Sequence, residues 1–302
     1  MPDIQLRFDK DMLVLSAPVD AVLARQGVDV ERDREFLSLI EPEAVRDVLR
    51  LESIAGAQCL VTNTAGITAA RLAHVNMEDR GLELAAAALT IIKSLRPQHV
   101  IAEIGPTGLP LDQSSAASLK QNRNQYAQAA RDFGSDGVDA LFLNGFTSTV
   151  DLQCALMGVR MVTDIPVFAS VDVDEDGNLV GRNETVEDAC SVMAEYEASV
   201  VGFSTAAELE QACSLACRMK TACSLPLLVQ LEVGENNPKQ GDATATNPYY
   251  CADVRGEAAS RLRGVGAQFL RAAGNATPAY TGALVAASAG FDVVGCGSAH
   301  GN

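Results

Sequence analysis

The chain has 302 residues, 48% of them apolar and 21% charged, enough to bury a sizeable core and ordinary for a globular protein in water. Its formal charge of −16, from 23 basic and 39 acidic residues, argues against nucleic acid or an anionic membrane surface as partner, because both need clustered Lys and Arg. The opening "MPDIQLRFDKDMLVLSAPVD" has neither the basic segment nor the apolar run of a signal peptide, and no stretch approaches the roughly 18 apolar residues of a membrane helix. Eight cysteines without framework spacing read as reduced thiols, so a cytoplasmic protein is expected.

In chain order, short apolar, β-branched runs appear at 12–18 (MLVLSAP), 58–64 (QCLVTNT), 99–105 (HVIAEIG) and 140–146 (ALFLNGF). Four more follow at 166–173 (PVFASVDV), 199–205 (SVVGFST), 226–232 (PLLVQLE) and 267–273 (AQFLRAA). Their near-continuous apolar character suits strands buried on both faces of a parallel sheet. Helical patterns lie between them, as at 77–95 and 206–222. Eight strands alternating with helices predict an α/β fold, a single (β/α)8 TIM barrel spanning 1–302 as one domain. A doubly wound open sheet is the alternative, but "GCGSAHG" (295–301) misses the phosphate-loop spacing and nothing else supplies one.

Barrel enzymes carry their chemistry at the C-terminal strand ends. Here those ends are Thr62-Asn63-Thr64, Glu103, Asn144, Ser170 with Asp172, Ser204-Thr205, Glu232 and Arg271. Glu103, Asp172 and Glu232 are the candidates for proton transfer or for holding a cation. Asn63, Asn144, Ser170, Thr205 and Arg271 are the substrate-binding candidates, with Arg271 suited to a substrate carboxylate. A small molecule is the expected ligand.

Other motifs read more plainly. "DVDEDGN" (172–178) opens like a calcium loop, but position twelve is Asn183 where that loop needs glutamate, so an acidic turn is expected. Cys213 and Cys217 share a helix face and read, with Cys223, as core thiols. His74, His99 and His300 are isolated, and the polar stretch 234–251 is either a lid or a variable loop.

The strand ends also carry a resemblance. "LVTNTAG" (60–66), "AEIGPTG" (102–108), "GVDALFLNGFTS" (137–148) and "VVGFSTAAEL" (200–209) resemble the homocysteine S-methyltransferases, including the homocysteine-binding barrel of cobalamin-dependent methionine synthase. The order holds over nearly the whole chain, and "EIGPTG" is the most specific match. The resemblance implies a zinc ion held by three cysteines at strand ends six and eight, keeping the substrate thiol as a thiolate.

This sequence departs from that pattern. The family's G-x-N-C reads "GFST", with Thr205 where cysteine belongs, and G-G-C-C-G-T-T-P reads "RAAGNATP", with Ala273 and Gly274 in the two cysteine positions. A second register through "VVGCGSAH" (293–300) restores Cys296, with His300 nearby, but leaves too little chain for the following helix. The family's D-G-A-M-G-T reads "SAPVDA" (16–21), its glutamate after strand four is Asn144, and its P-N-A-G reads "LEVG" (231–234). No zinc is therefore expected at the usual site. Two readings follow: a methyltransferase with another acceptor, or one exchanging methyl groups with methyl-corrinoid on a separate corrinoid protein; and, alternatively, a non-catalytic relative that binds a ligand or partner.

Overall fold

A computed structural model describes residues 3–134, 136–235, 244, 247–250 and 253–288. Eight parallel strands close one barrel: β1 (Leu13–Leu15), β2 (Cys59–Val61), β3 (His99–Ile104), β4 (Ala140–Phe146), β5 (Val167–Asp172), β6 (Val200–Thr205), β7 (Leu227–Val233) and β8 (Ala267–Gly274). Closure runs through β1 and β8, with Leu13 opposite Phe269 and Leu15 opposite Arg271. One principal helix follows each strand: α1 (Pro42–Ile54), α2 (Gly81–Ser94), α3 (Ala116–Phe133), α4 (Thr149–Arg160), α5 (Val186–Glu195), α6 (Leu209–Ala222), α7 (Asp253–Gly264) and α8 (Pro278–Ser288). The expected (β/α)8 barrel is the observed fold.

Strand alternation divides the core in two. One phase, including Leu15, Val61, Ile101, Phe142, Phe168, Leu228 and Phe269, fills the barrel interior. The Phe168 and Phe269 rings meet there with centroids 4.7 Å apart. The other phase, including Val100, Ala102, Leu141, Val201 and Phe203, packs outward with the helix residues. Burying each such side chain contributes about 1.5–3 kcal/mol, which is why both faces read as apolar. A short turn at Ile4–Arg7 closes the floor, with Ile4 buried and Phe8 edge-on to Phe269 at 5.9 Å. Apolar side chains thus fill the middle of the barrel, with His99 buried at the N-terminal start of β3, and the interior phase turns polar again at the mouth.

The first two strands are shorter than their apolar runs. The chain leaves the ladder at Ser16 and Thr62, whose N–H groups make one last bond each, to Cys59 O and Ile101 O, both at 2.9 Å. The helix expected from Met77 starts at Gly81, because Asn76 turns left-handed (φ 57°) and Arg80 N–H bonds Met77 O. The 172–178 segment is the expected acidic turn: Asp174 Oδ1 accepts the N–H groups of Asp176 and Asn178 at 3.0 and 2.9 Å.

The reading of three core thiols needs correction. Cys213 is buried on α6, but Cys217 is exposed and Cys223, past the helix end, is half-buried. Their four-residue spacing puts Cys213 and Cys217 near one stripe, and the buried arc is too narrow to cover both. Most of 234–251, and both Cys296 and His300, lie outside the described residues. β8 ends at Gly274 and α8 starts at Pro278, the arrangement of the register that places Ala273 and Gly274 at the strand end. Among the described residues no helix is long and apolar enough to cross a membrane.

Candidate active site

Period-two alternation builds the site. Glu103 follows Ile101 by two positions, Asn144 follows Phe142, Ser170 and Asp172 follow Phe168, and Arg271 follows Phe269. Each therefore continues the interior phase into the barrel mouth. Arg271, 1% exposed, is the hub. Its Nε donates to Ser16 O at 3.0 Å, and its Nη1 to Glu103 Oε1 at 3.2 Å and Gln230 Oε1 at 3.3 Å. Its guanidinium carbon lies 5.4 Å from the centre of the Phe142 ring.

The network continues around the strands. Asn144 Nδ2 donates to Glu103 Oε1 at 2.6 Å, and Gln230 Nε2 donates to Asn144 Oδ1 at 2.7 Å and Ser170 Oγ at 2.8 Å. Ser170 is thus a buried strut beneath the mouth. Gln230 was not among the sequence-derived candidates, although it sits between interior Leu228 and Glu232 on the same phase. Thr62 Oγ1 accepts the Glu103 N–H at 2.9 Å and Thr64 Oγ1 donates to Glu103 O at 2.7 Å, so these threonines fix the backbone that presents Glu103.

Above this floor lies a cavity of about 330 Å³, lined by Asn63, Glu103, Asn144 and Arg271 among the candidates, and by Asp20, Arg34 and Arg71. Arg34 Nη2 pairs with Asp20 Oδ2 at 3.0 Å. The "EIGPTG" loop forms one wall: Gly105 N–H bonds Ala65 O at 2.7 Å, and a Cβ at 105 would stand 2.8 Å from that oxygen, so glycine is required. Thr107 Oγ1 donates to Asn122 Oδ1 at 2.8 Å, anchoring the loop to α3. The opposite wall, Ala17 to Asp20, is held by a fully buried carboxylate that sequence reading missed. Glu52 on α1 accepts the Ala17 N–H at 3.1 Å, and burial pushes its pKa up to about 7.

Asp172, Thr205 and Glu232 line a second, wider depression of about 760 Å³, with Asp174, Glu175, Asp176 and Glu208. Glu232 Oε1 accepts a hydrogen bond from Ser204 Oγ at 2.7 Å. Thr205 belongs to the outward phase with Val201 and Phe203, and its Oγ1 accepts the Ala207 N–H at 3.1 Å. Asp172 lines this depression and lies next to the wall of the first cavity. Its Oδ2 is 3.8 Å from the Cβ position of Gly145, a wall residue of the first cavity. Burial first, then the charges of Glu232 and Glu103, push the Asp172 carboxyl up to about 7.

The family model described as homocysteine S-methyltransferase matches residues 15–296. The chain belongs to that family. Methionine synthase of Mycobacterium tuberculosis is 26% identical over 168 residues, and that of Mycobacterium leprae is 24% identical over 168 residues. The match takes in 51% of this chain and only 14% of each of those proteins, so the chain spans a small part of these relatives. The oxidized form of the homocysteine methyltransferase MmuM from Escherichia coli superposes with a TM-score of 0.77 at 17% identity, covering 94% of this chain and 98% of that one. Its metallated form gives 0.72 at 18% identity, covering 91% and 96%. At such identities these structures establish the shared fold.

The residues that the resemblance aligns with the family's zinc ligands do not suit zinc. Thr205, Ala273 and Gly274, which the sequence resemblance aligns with the three zinc-binding cysteines, stand at the ends of β6 and β8. Alanine and glycine offer no side-chain donor, and a neutral hydroxyl is a poor replacement for thiolate. Gly274 has φ +62°, and a Cβ there would lie 2.6 Å from Val233 O. A cysteine at that position would be strained. Among the described residues no three His, Cys, Asp or Glu side chains group closely enough to hold a metal ion.

Proposed function

We propose that the barrel mouth transfers a methyl group from a cationic donor to a small acceptor without zinc-thiolate chemistry. The observation that carries this reading is the position of Asp172, a carboxyl pushed up to about 7 in a carboxylate-lined depression and beside Gly145 of an arginine-containing cavity. The depression, with Glu232 and Glu208 in its wall, suits a sulfonium or quaternary ammonium donor. The cavity suits an acceptor whose carboxylate meets Arg271 beside Asn63 and Asn144. Glu103 keeps the arginine oriented.

The acceptor's nucleophilic atom attacks the methyl carbon as the bond to the cationic donor atom breaks. The donor leaves neutral, and the proton lost by the acceptor passes to Asp172. A carboxyl titrating near neutrality is matched to that role, since it is both sufficiently ionised and sufficiently basic. A methyl-corrinoid carried by a separate protein is the other donor class to be tried. The rewritten β6 and β8 ends favour a second reading, in which the chain binds a ligand or a methyltransferase partner without turnover.

A turnover screen separates the two. Methylsulfonium donors, with and without a methyl-corrinoid protein, are offered with carboxylate-bearing acceptors to the wild type and to Asp172→Asn. The enzyme reading expects methylated product with a chelator present and a loss of about 10²–10⁴-fold in the variant. Ligand binding with no product from any combination establishes the second reading instead.

A further inference from the structure

Far from the mouth, Cys190 on α5 and Cys223 just beyond α6 meet across 33 residues of chain with their sulfurs 3.0 Å apart. We propose that this pair is a redox modification site, in which a low-molecular-weight disulfide oxidises the two thiols to an intrachain disulfide. Nothing in the proposed methyl transfer uses these residues.

The two thiols are placed unequally. Cys190 is fully buried, and its S–H donates to Cys223 Sγ. Cys223 is half-buried. Its backbone is fixed by an N–H bond to Met219 O at 3.0 Å. Lys220 folds over the same connection, its Nζ donating to Leu225 O at 2.9 Å and Ser224 O at 3.3 Å. The Cys190 S–H foremost, then the Leu225 N–H and the Lys220 ammonium, hold the Cys223 thiol below its ordinary pKa against the effect of burial. Donating to Cys223, together with burial, drives Cys190 the other way. The less buried Cys223 is therefore placed as the nucleophile and Cys190 as a sheltered resolving thiol.

The chemistry balances with that division of labour. The Cys223 thiolate attacks one sulfur of a disulfide R–S–S–R, forming a mixed disulfide and releasing one thiolate R–S⁻. Cys190 then loses its proton to that thiolate and attacks Cys223 Sγ, forming the Cys190–Cys223 bond and expelling a second thiolate, which takes a proton from water. The protein pair gives up two electrons, and the small disulfide is reduced to two thiols. The product ties α5 to the α6–β7 connection, where the sulfurs already touch, so little backbone rearrangement is needed.

The test uses the reduced full chain exposed to oxidised glutathione, quenched with iodoacetamide and mapped by mass spectrometry without reductant. The wild type is expected to yield a Cys190–Cys223 peptide and no retained glutathione. Cys190→Ser is expected to stop at one glutathione on Cys223, and Cys223→Ser to leave Cys190 unmodified. Exposed Cys217 is the internal comparison, expected to react at least about tenfold more slowly. A wild-type map showing stable glutathione on Cys223, or Cys217 modified first, overturns the proposal without reference to either variant.

Discussion

At the scale of single residues, Arg271 and Asp172 are the two expensive placements in this barrel. Arg271 is buried in an ion pair with Glu103, and that pair is nearly dehydrated, its side chains 2% and 11% exposed. Removing one member of such a pair strands the other, which costs about 3–5 kcal/mol. Arg271→Met is thus expected to lose that much in denaturant unfolding, with Arg271→Lys between, since ammonium cannot reproduce the Nε and Nη1 fork. A loss below about 1 kcal/mol would show that the pair is not the hub.

Asp172 behaves in the opposite sense. An unfolded aspartate titrates near 3.9, whereas the folded group is raised to about 7, so the folded state holds the extra proton between those values. Stability therefore falls as pH rises through that window and is flat above it. Asp172→Asn should be more stable than wild type at pH 8, by about 2 kcal/mol after allowance for solvent at this partly open position, and indistinguishable from it near pH 4. Methyl transfer, in contrast, should increase as pH passes upward through about 7. A wild type that outlasts the variant at pH 8 contradicts the assignment. The sequence named both residues because each stands at a strand end. It did not name Gln230 or Glu52. Gln230 was legible from its phase between Leu228 and Glu232; Glu52 was not, because it reaches Ala17 from a helix through contacts no spacing encodes.

At the scale of elements, the strand ends decide what chemistry the fold admits. β8 is the clearest case. Its last residue, Gly274, takes a left-handed φ that an L side chain adopts only with strain, and its Cβ position overlaps Val233 O. Gly274→Cys is therefore expected to cost about 2 kcal/mol in thermal or denaturant unfolding, as a non-glycine residue forced into that region does. A neutral effect would mean that the β8 end relaxes easily toward a ligand-bearing geometry. All eight strands could be read from apolar runs because both faces of a closed parallel sheet are covered. Their ends were less legible: β1 and β2 stop early, where Ser16 and Thr62 turn their bonding to neighbouring backbone, and Thr205 falls on the outward phase rather than beside Arg271. The register of the β8 motif followed from the helix after it, since Thr277-Pro278 opens α8.

At the scale of the whole molecule, Ile4 and Phe8 pack the floor, phenylalanines fill the interior, and the polar network gathers at the mouth. That end carries the Gly105 approach and the Thr107 anchor, and no zinc is proposed there. The measurement that bears most directly on this is zinc content of the protein purified without chelator, read with homocysteine-dependent methionine formation by the same sample. A free thiol with a pKa of about 8.5 is only a few per cent ionised at pH 7, so methylation of homocysteine needs what Thr205, Ala273 and Gly274 cannot hold. Well under one zinc per chain and no methionine is the expected result. One zinc per chain together with methionine formation would contradict it.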